Sequence, residues 1–298
     1  MLERYGSSGR IPMSELRHRV LVPVDVLAGE GVADSLVRTL ASVPVVLLGY
    51  HEVPEQTAPG QARMQFESRA QEELDALADA FEAAGGTVAT RLVFTREPLK
   101  TFERIAVELE CDAIVLNNPA PRLDSILMPL RGDINVKHIA KLVGSIAADT
   151  EASITLFHVR PDEVEEEGPV EVLTEAASIL VDEGIGADRI TQEVQTHASP
   201  SEAIVDVAGS HGLVVVGESE PSIRDRIFGD PSSMLAKRSV TPVLVVRRQI
   251  LEMDTSEQEE RVETLAETAD EFVDEDDDQD VGSGDVDDAN TSPTSTGS

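Results

Sequence analysis

Two stretches of this 298-residue chain, offset by about 100–106 residues, repeat one order of apolar runs and helical stripes. That repeat restricts the fold more than any other feature. Residues 19–25, Arg-Val-Leu-Val-Pro-Val-Asp, read as a buried strand, and Val45 to Tyr50 as a second. An amphipathic segment follows, with Phe66, Ala70, Leu74, Leu77 and Phe81 on one stripe and Gly85-Gly86 as its stop. Thr90 to Phe94 makes a third strand, and a helix after Pro98 carries Phe102, Ile105 and Leu109. Ala113 to Leu116 makes a fourth, ending at Asn117-Asn118-Pro119.

The order then begins again. Ser125 to Arg131 parallels the first strand, and Ile139, Leu142, Val143 and Ile146 mark a helix. Ile154 to Val159 parallels the second strand. Leu173, Ala176, Ala177 and Leu180 form a helical stripe that Gly184 and Gly186 stop. Ile190 to Thr196 matches the third strand, Ser199 with Glu202 opens a helix carrying Ile204, Val205 and Ala208, and Leu213 to Gly217 matches the fourth. A period this long indicates a tandem duplication and not a short solenoid repeat. The second half alone continues into a fifth strand, Thr241 to Val246.

Continuous apolar strands alternating with helices predict an α/β fold of parallel sheets covered on both faces. With right-handed crossovers, each half is a doubly wound, Rossmann-like unit. The expected organisation is an N-terminal extension (1–17), a first unit (18–121) lacking its last helix and strand, and a second unit (122–250). A short amphipathic helix (251–273) and a disordered acidic tail (274–298) complete it. Ligands of such units bind at the carboxyl ends of strands, where strand order reverses. The positions to inspect are therefore Asp25, Tyr50, Asn117, Arg131, Val159 and Gly217.

Charge narrows the partners. The formal net charge is −33, with 20 arginines and only four lysines among the 24 basic residues. Such a surface repels phosphate backbones and anionic membrane faces, so nucleic acid and direct membrane insertion are excluded as partners. No run of 18 apolar residues exists, and the N-terminus has no apolar signal region, so the expected location is cytoplasmic. The excess of acids over few lysines is similar to that of cytoplasmic proteins of extreme halophiles. Residues 251–298 hold 18 acids and one base, a charge of −17 that leaves −16 on the rest. Ser256 with Glu259, followed by Val262, Leu265, Ala269 and Phe272, gives the helical pattern ahead of that tail.

The repeated VLVPVD-type first strand, the segment FGDPSSMLAKRS and the closing TPVLVVRR resemble the universal stress protein family. The resemblance covers roughly residues 18–248, is best in the second half, and implies the adenine-nucleotide α-hydrolase-like fold. It also implies ATP or another adenine nucleotide as ligand, held by a first-strand Asp and a loop of the form G-x2-G-x9-G-(S/T) after the fourth strand. Glycines there let backbone amides approach phosphates at a helix amino terminus. The candidate binding residues so implied are Asp25 in the first half and Arg131, Val159, Gly217, Gly229, Ser232 and Ser233 in the second.

The match is partial. Glu220 stands where the second loop glycine belongs, and Gly229 comes 12 residues after Gly217 where the pattern places its last glycine 13 after. Asp230 replaces the Ser or Thr that follows that glycine. Arg131 occupies the first-strand Asp position of the second half, while Asp25 keeps it in the half that lacks the loop. Neither half carries a full set. Extra carboxylates oppose a triphosphate unless Arg131, Arg224, Arg226 or a cation intervenes. Binding at a degraded site and no nucleotide binding both stay open.

Other constellations yield little. His51, His138, His158, His197 and His211 lack metal-ligand spacing, so no metal is expected, and Cys111 reads as a packed core residue. Glu218 with Glu220, and the run Glu163 to Glu167, read as solvated charge. No Walker lysine, nucleophile elbow or G-x-G-x-x-G occurs, and no catalytic residue is assigned. The expected role is a stress-response protein that acts by binding and association. A homodimer through Val243 to Val246 is the expected association, with internal pairing of the two halves as its alternative. A regulatory subunit of a membrane transporter and a nucleotide-handling α/β enzyme are the alternative functions.

Overall fold

The computed structural model describes residues 18–54, 56–116, 122–131, 135–160, 169–217 and 241–247. In the first half the elements are β1 (Val20–Asp25), α1 (Asp34–Leu40), β2 (Val45–Glu52), α2 (Pro59–Ala83), β3 (Val88–Thr95), α3 (Pro98–Glu108) and β4 (Ala113–Leu116). The second half contains β5 (Ser125–Pro129), α4 (Val136–Ala147), β6 (Ser153–Arg160), α5 (Pro169–Asp182), β7 (Ile190–Thr196), α6 (Pro200–Ala208), β8 (Leu213–Gly217) and β9 (Val243–Val246). The extension 1–17, the linker residues Asn117 to Pro119, the 163–167 acidic run and everything from 248 onward lie outside the described residues, as does the helix expected before the acidic tail. No described helix is long and apolar enough to cross a membrane.

Local chemistry explains the boundaries. Proline occupies the first turn of α2, α3 and α6, where its missing amide proton breaks no helical bond. Gly85 and Gly184, at φ +87° and +94°, end the long helices in the left-handed conformation that glycine adopts without a Cβ clash. Helix α1 escaped the sequence reading. Its seven residues make only two turns, too few for a stripe, although Leu36, Val37 and Leu40 are buried.

Among the described residues nine strands form one sheet, in the order β3-β2-β1-β4-β9-β8-β5-β6-β7. The first-half order β3-β2-β1-β4 is repeated in the second as β7-β6-β5-β8. Neighbours are parallel with one exception: β9 runs parallel to β8 and antiparallel to β4, with Ile114 opposite Val245 and Leu116 opposite Val243. Strand β9 thus lies between the first-half and the second-half strands and pairs with both. Both edges of Val243–Val246 are occupied within the chain, and all four residues are buried.

The alternation of side chains along each strand divides the core into layers. Val20, Val22 and Val24 of β1, Ile126 and Met128 of β5, and Leu244 and Val246 of β9 face one continuous cluster. It is covered by α1, α2, α4 and α5, through residues such as Leu36, Leu74, Val143 and Leu180. The intervening residues face two smaller clusters. Leu21, Val46 and Ile114 pack under Phe102 and Ile105 of α3, whereas Leu127, Val214 and Val245 pack under Ala203 and Ala208 of α6. The largest cluster therefore runs across the junction. Burying one such leucine contributes roughly 2 kcal/mol.

Close backbone approach sets one glycine. At Gly212, just before β8, a Cβ would overlap the Arg122 carbonyl oxygen and lie 2.9 Å from the Leu123 Cα. The Gly212 amide meanwhile donates to the Ser125 carbonyl at 2.9 Å, drawing β8 onto β5.

Candidate functional site

Strand order reverses between β1 and β4 in the first half and between β5 and β8 in the second, so each half has one crevice at the carboxyl ends of its strands. Because β4 and β9 are antiparallel, these crevices lie on opposite rims of the sheet. The carboxyl ends of the second half share a rim with the amino ends of β1 and β4.

In the first half Asp25 ends β1, as expected, but its carboxylate is engaged in its own turn. Oδ1 accepts the amides of Leu27 and Ala28 at 3.2 and 3.1 Å, while the Asp25 amide donates to Glu30 Oε2 at 3.0 Å. Gly29, at φ +75°, closes the turn. His51 Nδ1 stands 3.5 Å from the same Oδ1. Beside it the Tyr50 phenol is pushed far above its usual range, by burial first and then by the charges of Glu30, Asp25 and Glu52. This rim gathers carboxylates around the crevice. It disfavours a phosphate.

On the second-half rim the described residues include three arginines. Arg131 follows the end of β5 and is exposed, Arg160 ends β6, and Arg247 follows β9. The Leu130 amide donates to the Phe157 carbonyl at 2.8 Å, and His158 Nδ1 lies 2.9 Å from the Leu130 carbonyl oxygen. Buried His158 therefore fixes the backbone from which Arg131 projects, a structural role. Arg160 Nε is buried and has no hydrogen-bond partner among the described residues. Gly217, half-buried, ends β8 across the reversal point from Arg131.

The expected site residues divide accordingly. Arg131 and Gly217 flank the second-half reversal point. Val159 is next to the last residue of β6, but its side chain is buried in the apolar cluster with Phe157, Val216 and Ala203, so any contact falls to its main chain. Asp25 lies on the other rim. Gly229, Ser232 and Ser233 lie outside the described residues, as do Glu218, Glu220, Arg224, Arg226 and Asp230. Arg160 was missed because a residue ending a strand by one position carries no motif. Its register opposite Thr196, the last residue of β7, reveals it only in the sheet.

Hydrogen bonds on this rim brace the backbone of each half, and Arg247 carries the run across from the second half to the first. The Asp112 amide donates to the Arg19 carbonyl at 2.8 Å, and Asn135 Nδ2, on a left-handed residue at φ +63°, donates to the Arg247 carbonyl at 3.2 Å. Arg247 Nη1 donates to the Cys111 carbonyl at 3.1 Å. Cys111 is buried, and its thiol is pushed up to about 11 by that burial, which outweighs the lowering by Arg19 and Arg247. It is a packed thiol at neutral pH, not an activated one.

Comparison with known proteins agrees with this architecture. Residues 122–247 match the universal stress protein family, a span that begins just before β5 and ends just after β9. A universal stress protein from Archaeoglobus fulgidus DSM 4304 superposes with TM-score 0.52 at 14% identity, covering 77% of this chain and 96% of its own. It shares the fold over both halves. A universal stress protein solved with cAMP covers 42% of this chain and 98% of its own, at 20% identity and TM-score 0.34. A putative universal stress protein from Pseudomonas aeruginosa UCBPP-PA14 covers 79% and 94%, at 12% identity and TM-score 0.39. No curated protein matches the sequence.

Proposed function

We propose that this chain, in which residues 122–247 form a domain of the universal stress protein family, is a non-catalytic stress-response protein that binds an adenine nucleotide at the second-half rim. The observation that carries the reading is the placement of Arg131 and Arg160 at the ends of adjacent strands, with Gly217 across the reversal point. Two guanidiniums there supply the positive charge that a phosphate needs. They also offset the carboxylates of Glu218 and Glu220 that follow in sequence. Asp25, which caps its own turn beside Glu30, is not part of the site.

The response would pass through β9. Residues 218–240 join β8 to β9 and include Gly229, Ser232 and Ser233.

Calorimetry with ATP, ADP and AMP in molar salt, with and without magnesium, tests the reading. One saturable event is expected, weakened about tenfold or more in Arg131→Ala and Arg160→Ala, since a hydrogen bond to a charged group contributes roughly 1.5–3 kcal/mol. Asp25→Asn should leave the affinity unchanged. No binding by the unaltered chain, or unchanged affinity in both arginine variants, would remove the proposal.

A further inference from the structure

Three side chains that are far apart in sequence meet where the halves join. His18 precedes β1, Asp112 precedes β4 and His138 lies in the first turn of α4, and one ligand atom from each lies within 4.8 Å of the others. The His18 and His138 ring centroids are 5.3 Å apart, with the planes tilted by 55°. His138 Nε2 stands 3.3 Å from Asp112 Oδ1.

That spacing is informative. At 3.3 Å the two groups already form an ion pair, at the long end of hydrogen-bond reach. Two ligand atoms bound to one tetrahedral ion, with bonds of about 2.0–2.1 Å, are about 3.3–3.4 Å apart. The carboxylate is also oriented for the purpose. Asp112 Oδ2 accepts the Arg19 amide at 3.0 Å, which leaves Oδ1 toward His138, in the manner of an outer-shell hydrogen bond that fixes a ligand. The two nearby guanidiniums donate to backbone oxygens, Arg19 to that of Leu109 and Arg247 to that of Cys111.

We propose that His18, Asp112 and His138 bind one divalent transition-metal ion, and that this ion clips the first half of the chain to the second. Two imidazoles and one carboxylate suit zinc, cobalt or nickel better than magnesium or calcium, which prefer all-oxygen sets. With three protein donors the remaining position belongs to water, which reaches the site through Asp112, 24% exposed, while His138 is 6% exposed. The site is independent of the nucleotide reading.

The test uses the untagged full chain, stripped with a chelator and titrated with cobalt(II) in molar salt. One equivalent should give the intense visible bands of four-coordinate cobalt, and zinc should displace it. Weak octahedral binding to the acidic residues gives no such bands. His18→Gln and His138→Gln should each weaken binding by about 100-fold or more, since even outer-shell changes cost about 10–100-fold. Cys111→Ser should leave it unchanged. Zinc should raise the unfolding temperature of the unaltered chain and not of folded His18→Gln, which carries the test if the more buried His138→Gln does not fold. Absence of the cobalt bands, or bands that persist in folded His18→Gln, would overturn the proposal and leave the trio an ion-pair network only.

Discussion

The amide of Arg247 donates to the carbonyl oxygen of Asp112 at 2.7 Å, which extends the β4–β9 ladder one step beyond the last strand pair. Asp112 belongs to the first half and Arg247 to the second. That bond and the Ala113–Val246 pairing beside it join the halves through main-chain atoms, with α/β layers continuous on either side.

The first prediction concerns that shared strand. Leu244 is fully buried within the cluster that spans both halves. Leu244→Ala should cost about 2–5 kcal/mol. The loss should appear in both halves at once. Hydrogen exchange in peptides from β1 and from β5 is expected to accelerate together; acceleration confined to the second half would show that the junction does not couple them.

Two glycines offer a paired test. Gly212→Ala forces a Cβ into the Arg122 carbonyl and should lower stability by roughly 1–3 kcal/mol or more, as overpacking does. Gly209, the C-cap of α6 at φ −64°, has nothing within 4 Å of a built Cβ. Gly209→Ala should be neutral or stabilising by about 0.4–1 kcal/mol through the unfolded chain. Urea midpoints of the two variants should therefore shift in opposite directions or differ clearly in size.

Alkaline titration probes the acidic rim. Tyr50 keeps its proton in the folded state well above the ordinary tyrosine range near 10. A group that holds its proton more tightly when folded makes stability fall as pH rises above its unfolded value. Stability should thus decline above about pH 10. The decline should be smaller in Tyr50→Phe. Of the chain's two tyrosines, Tyr50 should ionise only with unfolding when followed by ultraviolet absorbance. Ionisation of Tyr50 near pH 10 in the folded protein would contradict the described packing.

Salt supplies the fourth prediction. With a net charge of −33, self-repulsion destabilises the folded state in dilute buffer, and molar salt shortens the Debye length to about 3 Å. The unfolding temperature should rise steeply from 0.1 to about 2 M salt, with sodium chloride and potassium chloride alike. A temperature independent of salt would show that the carboxylates lie too far apart to interact.

Strands were the most legible part of the sequence, because runs such as Val45 to Leu48 and Leu213 to Val216 are apolar on both faces, the mark of a parallel sheet between two helical layers. Edge strands β3 and β7 were found from their place in the repeated order more than from hydrophobicity, since Thr90, Arg91, Thr191 and Gln192 are exposed. The antiparallel β4–β9 pairing was present only as an alternative. Four apolar residues at 243–246 fit an internal partner and a second copy equally well, and only the register of the whole sheet distinguishes them. At the second-half rim Arg131 and Gly217 were readable from the repeat. The His18–Asp112–His138 trio was not, for its members are joined by topology across separations that no local spacing rule covers.

Sharing β9 also determines where the sheet stops. Among the described residues its outer strands are β3 and β7, one from each half. Polar residues stand along both, Thr90 and Arg91 on β3 and Gln192, Glu193 and Gln195 on β7, with Val194 the exposed apolar residue of β7. A ribbon whose stickiest strand is walled inside and whose margins carry charge offers poor templates for further strands. Chains crowded together in a salty medium, where long-range repulsion is screened, would still be kept from zipping edge to edge.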